Sequence, residues 1–350
     1  MLSLRIERRP APLWSRPLIP IVAIVVTFIL TSILILWARA NPFEAYYYFL
    51  VSPLSGQVSA LEVLVKATPL LLTGASVTFA FSAGYWNIGA EGQLLAGAIA
   101  AAGLGMALKD ASPVLAILVM LFGGFVAGML WALVPALLKV KLAVDEVVTT
   151  LLMNTVILFL ISFLLNGIWR DPVSGWPQSP QIAPAAMFPK LILRSRLHLG
   201  FLVAWIVVGV IWVLLYRTPI GLRMRAVGLG RSAASFAGVD VGRTVLVAAL
   251  VSGGIAGLAG VGEVAGIHFH LIEAISPGYG YTGIIVATLG GLNPLGMSLA
   301  ALFIGLIETG AQSVSSALGV PIFLGNVVEA VLLLVTLSML ILQNYRIKRA

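Results

Sequence analysis

The stretch Gly221-Leu-Arg-Met-Arg-Ala-Val-Gly228-Leu-Gly230-Arg-Ser-Ala-Ala234-Ser-Phe-Ala-Gly238 lies within a basic loop, Arg217–Arg243, that separates two long apolar tracts. The basic loop contains five arginines and a single acid, Asp240. Basic loops of polytopic membrane proteins lie on the cytoplasmic side, so we predict that this one is cytoplasmic. Its small residues, with Ser232 near the start, predict a short helix. A membrane protein that holds such a helix in the cytoplasm is expected to dock a partner there.

The composition of the whole chain also indicates a membrane protein. Hydrophobic residues occupy 60% of the 350 positions and charged residues 10%, and the mean hydropathy is +1.07. These values lie far outside the range of soluble domains. The absence of cysteine excludes disulfides, thiolate metal sites and cysteine nucleophiles. The net charge of +8 does not indicate nucleic acid, because the basic residues lie at the ends of apolar tracts rather than along one face.

Ten apolar stretches compare well with the roughly 20 residues that a helix needs to cross the hydrocarbon core. We therefore predict an all-α integral membrane protein with about ten transmembrane helices, some of them discontinuous, and with both termini cytoplasmic. On this topology 14 of the 21 basic residues lie inside, in agreement with the positive-inside rule. The predicted spans are residues 18–38, 58–81, 89–108, 113–138, 145–168, 198–216, 244–266, 281–292, 297–316 and 322–343.

The chain is predicted to form a single transmembrane domain over residues 1–350, with its spans between residues 18 and 343. Residues 217–243 form its cytoplasmic loop, and residues 169–197, with five prolines, form its largest extracytoplasmic loop. The eighth span is short. The glycine-rich turn Gly290–Gly296 after it predicts a break that makes this span half of a discontinuous helix.

Several polar residues fall inside or beside the predicted spans. A charged side chain at the centre of a bilayer costs at least about 2.5–3.5 kcal/mol, so Glu91, Glu263, Glu308 and Glu329 need partners, water or a neutral state. The densest group is Gly84-Tyr-Trp-Asn87-Ile-Gly89-Ala-Glu91-Gly92-Gln93. Broken backbone at this depth is tolerated where it lines a cavity or is covered by protein, which favours a translocation pathway. The alternative is that Glu91 and Gln93 only join two helices by hydrogen bonds.

A second polar group follows Lys139 and Lys141. Glu146, Thr149, Thr150 and, less well, Asn154 share one face at helical spacing. Asp145 and Glu146 also suit a helix N-terminus, where the macrodipole favours negative charge. The structural and the functional interpretation both stay open for this group.

Three glycine pairs have the small-xxx-small spacing that allows close helix packing: Gly124/Gly128, Gly253/Gly257 and Gly262/Gly266. We predict that they pack helices together.

Three other motifs do not predict a nucleotide-binding or metal-binding site in this chain. Gly278–Gly283 matches the dinucleotide fingerprint in letters but follows no strand, so we predict a turn into a span. His268 and His270 are spaced to point to different sides of a helix, and no metal site is predicted. No lysine follows a glycine as a phosphate-binding loop requires. We therefore expect no cofactor in this chain, no catalytic residue, and ATP bound by a partner ATPase.

Three segments resemble the permease subunits of bacterial ATP-binding-cassette (ABC) importers of the nucleoside and simple-sugar type. These segments are Tyr85–Gln93, Val144–Asn154 and Gly221–Gly238, and the similarity covers residues 20 to 340. The length and the long outer loop resemble the larger of two paired permeases. The resemblance implies a non-catalytic transport subunit, in a multi-pass arrangement in the bacterial cytoplasmic membrane, that carries a nucleoside or related solute.

The same resemblance implies partners and roles. The expected partners are a second homologous permease, a cytoplasmic ABC ATPase, an extracytoplasmic solute-binding lipoprotein or periplasmic protein, and membrane lipid. The basic loop is then expected to hold the coupling helix that sits in a groove of the ATPase. The residues expected to line or shape the pathway are Asn87, Glu91, Gln93, Asn154 and Glu263. Those expected at the coupling interface are Arg223, Arg225, Gly228, Arg231, Ala234 and Gly238.

A second function class stays open at this point. A self-sufficient secondary transporter or channel for a small polar solute could use intramembrane acids such as Glu263 and Glu308 to carry protons. An ATPase and a binding protein encoded beside this chain would favour the importer.

Overall fold

The computed structural model describes residues 4–8 and 18–349. Within them, seven helices are long and apolar enough to cross a membrane, and three apolar helices are shorter. Each predicted span coincides with one of these ten helices, the short eighth span included, so the prediction of an all-α membrane protein is confirmed. The long helices are Gln57–Ser82, Ala90–Ala107, Pro113–Leu142, Glu146–Asn166, Gly200–Arg217, Val241–His268 and Pro294–Leu318; the shorter ones are Ile21–Trp37, Tyr279–Leu289 and Leu324–Met339.

A short antiparallel sheet joins β1 (Leu4–Arg8) to β2 (Tyr345–Arg349), which places these two segments at the same end of the bundle. The α-helices in chain order are α1 (Leu18–Trp37), α2 (Pro42–Leu50), α3 (Ser52–Ser55), α4 (Gln57–Ser82), α5 (Ala90–Ala107), α6 (Pro113–Leu142), α7 (Glu146–Asn166), α8 (Gly200–Arg217), α9 (Pro219–Leu229), α10 (Arg231–Phe236), α11 (Val241–Gly262), α12 (Tyr279–Leu289), α13 (Pro294–Leu318) and α14 (Leu324–Asn344).

Side-chain caps begin several of these helices. Asp145 accepts a hydrogen bond from the Val147 N–H at 2.8 Å and begins α7. Asn293 accepts from the Leu295 N–H at 2.9 Å, immediately before Pro294 at the first position of α13. Such caps satisfy backbone donors that have no partner within the helix. The cap geometry supports the structural interpretation of Asp145.

Helix α11 lies at the centre and approaches α6 and α5 through glycines. A Cβ on Gly128 would lie 2.1 Å from the Gly253 carbonyl oxygen, and one on Gly257 would lie 2.2 Å from that of Gly124. Two of the predicted glycine pairs therefore face each other, because only hydrogen side chains allow the backbones so close. The third pair is different: a Cβ on Gly266 would meet the His198 ring of the outer loop at 2.4 Å.

Two connections interrupt the helical bundle where the sequence predicted discontinuous helices. Helix α4 ends at Ser82, and residues 83–89 are not helical before α5 begins. Helix α12 has 11 residues, and a turn at 290–293 separates it from α13. Gly278, with φ +107°, precedes α12, so the fingerprint-like motif is a turn into a helix as predicted.

Three features differ from the prediction or add to it. Helices α2 and α3 lie between the first two spans and were not predicted, because Pro42–Leu50 is too short to register as a span. The basic loop holds two helices, α9 and α10, rather than one, since Gly230 is extended between them. The outer loop packs into the opposite end of the bundle, where the Phe188 N–H donates to the Ala265 carbonyl at 2.8 Å.

Candidate translocation and coupling sites

Four of the predicted pathway residues meet at the α4–α5 connection. We call Asn87, Glu91, Gln93 and Asn154, with Ser252 of α11, the buried cluster. The Asn87 amide donates to Gln93 Oε1 at 2.8 Å and to Ser252 Oγ at 2.9 Å, and its carbonyl oxygen accepts from the Gly89 N–H at 2.9 Å. All of these side chains are buried.

The other half of the buried cluster ties α5 to α7 and α12. The Glu91 carboxylate accepts from the Gly280 N–H at 2.7 Å. Asn154 accepts from the Gly92 N–H at 2.9 Å and donates to the Ile88 carbonyl at 3.0 Å. These bonds satisfy backbone groups that the broken helices leave without partners. The buried cluster therefore stabilises the non-helical α4–α5 connection.

Glu263 lies apart from the buried cluster. It begins the π-helical turn Glu263–His268 that ends the seventh span, and its carboxylate is 3.7 Å from His268 Nε2. In the described part of the chain, no three His, Asp or Glu side chains converge as they would around a metal ion.

A separate cavity of about 460 Å³ lies between α4, α12, α13 and α14. None of the five predicted pathway residues is among those that line it. The polar side chains that do line it include Lys66, Thr282, Glu308, Gln312, Asn326 and Glu329.

The sequence contained a signal for this cavity. Glu308 and Glu329 were recognised as acids in need of partners, but Lys66, Gln312 and Asn326 were not assigned any role. Lys66 falls inside the predicted span 58–81, where a cation is as unusual as an acid. Lys66 Nζ lies 4.0 Å from Glu308 Oε2, a pairing between α4 and α13 that spacing along one helix does not reveal.

The basic loop packs against the end of α4. A Cβ on Gly228 would lie 2.3 Å from the Ser82 carbonyl oxygen, so α9 and this end are in backbone contact. Arg225 faces inward, with its guanidinium 5.1 Å from the Tyr216 ring centroid, and Ala234 is buried. Of the residues predicted at the coupling interface, Arg223, Gly228, Arg231 and Gly238 are exposed.

Arg231 links the basic loop to the buried cluster. Its guanidinium donates to the Gly84 carbonyl at 2.7 Å and lies 3.7 Å from the Glu146 carboxylate. Glu146 is buried and also pairs with Lys139 at the end of α6. Gly84 lies in the non-helical segment 83–89 that carries Asn87. Arg231 therefore joins the start of α10 to the α4–α5 connection.

Two apolar side chains of the basic loop were missed by the sequence analysis. Phe236 is 97% exposed at the end of α10 and Leu229 is 91% exposed at the end of α9. Aromatic side chains are enriched at protein interfaces, so Phe236 is the stronger candidate of the two for an anchor. The signal in the sequence is that Phe236 is the single aromatic residue of the basic loop.

Comparisons with known proteins give the family to which the chain is similar. Residues 59–340 match the family described as the permease component of branched-chain amino acid transport systems. The chain is 34% identical to the glucose ABC transporter permease protein TsgB13 of Haloferax volcanii, over 97% of this chain and 92% of the relative. It is 31% identical to the guanosine ABC transporter permease protein NupP of Bacillus subtilis, over 93% and 94%. A second guanosine permease of that bacterium, NupQ, is 28% identical over 70% and 79%. No solved structure matches the chain.

Proposed function

The chain belongs to the family of permease components of branched-chain amino acid transport systems, and we propose that it forms one half of the membrane pathway for a nucleoside or simple sugar. It is a permease subunit of an ABC transporter and a multi-pass protein of the cytoplasmic membrane. The proposed solute follows from the printed names of the relatives, which are permeases for glucose and for guanosine. None of these relatives supports a self-sufficient carrier.

The other half of the pathway is supplied by a second, homologous permease. Bacillus subtilis has two guanosine permease proteins that are both similar to this chain, one at 31% and one at 28% identity. Two related permeases in one guanosine transporter would explain why both are similar to this chain. A solute-binding protein outside and an ABC ATPase inside complete the importer.

Coupling to the ATPase runs through α9 and α10. The observation that carries this step is the exposure of Phe236 and Leu229 beside Arg231, whose guanidinium reaches back to Gly84. Closure of the ATPase around α10 displaces Arg231. Because Arg231 is bonded to the Gly84 carbonyl, the non-helical segment 83–89 moves with it. The buried cluster then switches with the pathway, since each access state is stabilised by different contacts. Asn87, Glu91, Gln93, Asn154 and Glu263 keep their proposed role in shaping this pathway.

The test is to purify the tagged chain from its native membrane and to compare wild type with two variants. Wild type is expected to retain an ATPase and a second permease, and the preparation to hydrolyse ATP. Phe236→Ser is expected to lose most of the ATPase, because truncation of an interface anchor typically costs at least about 2 kcal/mol. Arg231→Gln is expected to retain the ATPase but to transport less solute for each ATP hydrolysed.

The matched control is Ser232→Ala, an exposed position on the same helix. Recovery of wild type alone, with uptake that needs no ATP, would contradict the importer. Normal ATPase recovery with Phe236→Ser would contradict docking through α10 and leave the importer in place.

A further inference from the structure

The cavity between α4, α12, α13 and α14 has the dimensions of a solute site. Its volume of about 460 Å³ lies within the range of about 300–1,000 Å³ that small-molecule sites occupy. We propose that this cavity binds the solute in transit, and that Glu308 and Glu329 accept hydrogen bonds from adjacent hydroxyl groups of a neutral, ring-shaped solute. This inference rests on the proposed function as an importer.

The acids of the cavity have unused hydrogen-bonding capacity. Glu329 accepts one bond, from Thr282 Oγ1 at 3.3 Å, and Glu308 faces Lys66 at 4.0 Å. Among the described residues these are the only polar contacts that Lys66, Glu308 and Glu329 make, so at least three carboxylate oxygens lack a donor. None of these oxygens is a fully buried atom without a partner, so a ligand in the cavity has access to them. A solute with several hydroxyl donors completes these oxygens.

The balance of charge selects against an anion. The lining contains two acidic side chains, Glu308 and Glu329, and one basic side chain, Lys66. The beginning of α12, which could otherwise attract a phosphate, is already occupied: the Gly278 and Tyr279 N–H groups donate to Ser276 Oγ, and the Gly280 N–H donates to Glu91. A solute that bears a phosphate would therefore meet two acidic side chains and a helix N-terminus whose first N–H groups already have acceptors.

The remaining lining fits a neutral polyhydroxylated ring. Gln312 and Asn326 add amides that both donate and accept, and Tyr279, Tyr281 and Phe323 add aromatic surface. Carboxylates and amides bind adjacent hydroxyl groups, and aromatic rings pack against the faces of sugars or bases. A pair of adjacent hydroxyls occurs both in a ribonucleoside and in a free hexose, so either solute has the required chemistry.

The test uses the complete transporter, with its companion permease, ATPase and binding protein, in proteoliposomes. Uptake is measured for guanosine and glucose, and for 2′,3′-dideoxyguanosine and 2-deoxyglucose, with wild type, Glu308→Gln and Glu329→Gln. Both variants are expected to lower uptake of the hydroxyl-bearing solute by about tenfold, as for loss of one charge-assisted hydrogen bond. Uptake of 2′,3′-dideoxyguanosine is expected to change by less than about threefold, because it lacks the adjacent hydroxyls, whereas 2-deoxyglucose keeps the pair at C3 and C4 and tests the C2 hydroxyl alone.

ATP hydrolysis stimulated by the loaded binding protein is expected to persist, since neither acid contacts the basic loop. Glu44→Gln, an exposed acid on α2, is the matched control and is expected to transport as wild type does. Should either glutamine variant fail to assemble, Asn326→Ala at the exposed rim of the cavity provides the same comparison.

The outcomes distinguish a failure of the proposed solute site from a failure of the proposed solute class. Wild-type uptake of guanosine alone identifies a nucleoside site and uptake of glucose alone a sugar site; either supports the cavity when the variants respond as expected. Wild-type uptake with assembled variants that lose nothing overturns the cavity and leaves the importer intact. Wild type that transports neither solute overturns the proposed solute class and the cavity inference with it.

Discussion

Two groups of polar side chains lie between the membrane-spanning helices, and their hydrogen bonding differs sharply. In the buried cluster, Asn87 uses both ends of its amide, and Glu91 and Asn154 each satisfy a backbone N–H. In the cavity, Glu329 accepts one hydrogen bond, from a threonine hydroxyl, and Glu308 faces one lysine at 4.0 Å. Both groups contain carboxylates and amides, and a cavity of about 460 Å³ opens beside the second group.

The difference shows that a polar residue within a span does not by itself mark a pathway. Polar side chains that bond to one another and to the broken backbone support the structure. Polar side chains with unused acceptors around a cavity are ready for a ligand. We therefore expect substitutions in the two groups to have opposite signatures in stability and transport.

The largest effect is expected for Asn87→Leu in the buried cluster. The substitution leaves the Gln93 side chain and the Gly89 N–H without partners, at about 1–3 kcal/mol for each buried group left unpaired, whereas Ser252 Oγ keeps its bond to Ser76 Oγ at 2.9 Å. The purified complex should be recovered poorly and should unfold at a markedly lower temperature, as measured by a thermal unfolding scan.

Thr309→Val is the control for a buried polar group. Thr309 donates only to the Gly305 carbonyl of its own helix, so its loss should have little effect on the unfolding temperature. Equal stability of the two variants would mean that the buried cluster does not hold the α4–α5 connection.

Lys66→Met in the cavity is expected to have a smaller effect, on uptake rather than on stability. Lys66 is partly exposed to the cavity and its partner is 4.0 Å away, so the unfolding temperature should change by only a few degrees. Uptake should fall by about three- to tenfold, because the cavity loses its ammonium donor. Initial uptake rates in proteoliposomes give the comparison, with the exposed Lys109→Met as control. A variant that unfolds early yet transports normally would contradict the assignment.

Much of the fold was predictable from the sequence. Ten apolar stretches gave ten helices, because the length of a membrane span leaves few alternatives. The pairs Gly124/Gly128 and Gly253/Gly257 gave the contact between α6 and α11, since small residues at this spacing mark a close approach. Asp145 indicated the start of α7, because an acidic side chain suits a helix N-terminus.

The site was less predictable, for physical reasons. The segment Gly84–Gln93 showed a polar group but not whether its members would satisfy one another, which depends on Ser252 and Asn154 from other helices. Lys66 and Glu308 meet across α4 and α13, more than 200 positions apart in sequence. Arg225 and Arg231 looked alike in the basic loop, yet one stacks on Tyr216 and the other reaches Gly84. These outcomes depend on tertiary packing that local pattern does not contain.

The contrast between the two groups is tested most directly by thiol labelling, which the cysteine-free sequence permits. Single cysteines are placed in the cavity (Asn326→Cys), in the buried cluster (Ser252→Cys) and at the exposed end of α13 (Ser316→Cys). The rate of reaction with a water-soluble maleimide is then measured in the complete transporter, with and without the transported solute.

We predict that Asn326→Cys reacts, and that solute at roughly ten times its dissociation constant slows the reaction about tenfold. Ser316→Cys should react equally with and without solute, and Ser252→Cys should not react. A cavity thiol that the solute leaves unprotected, together with a reactive Ser252→Cys that the solute does protect, would assign the solute to the buried cluster instead.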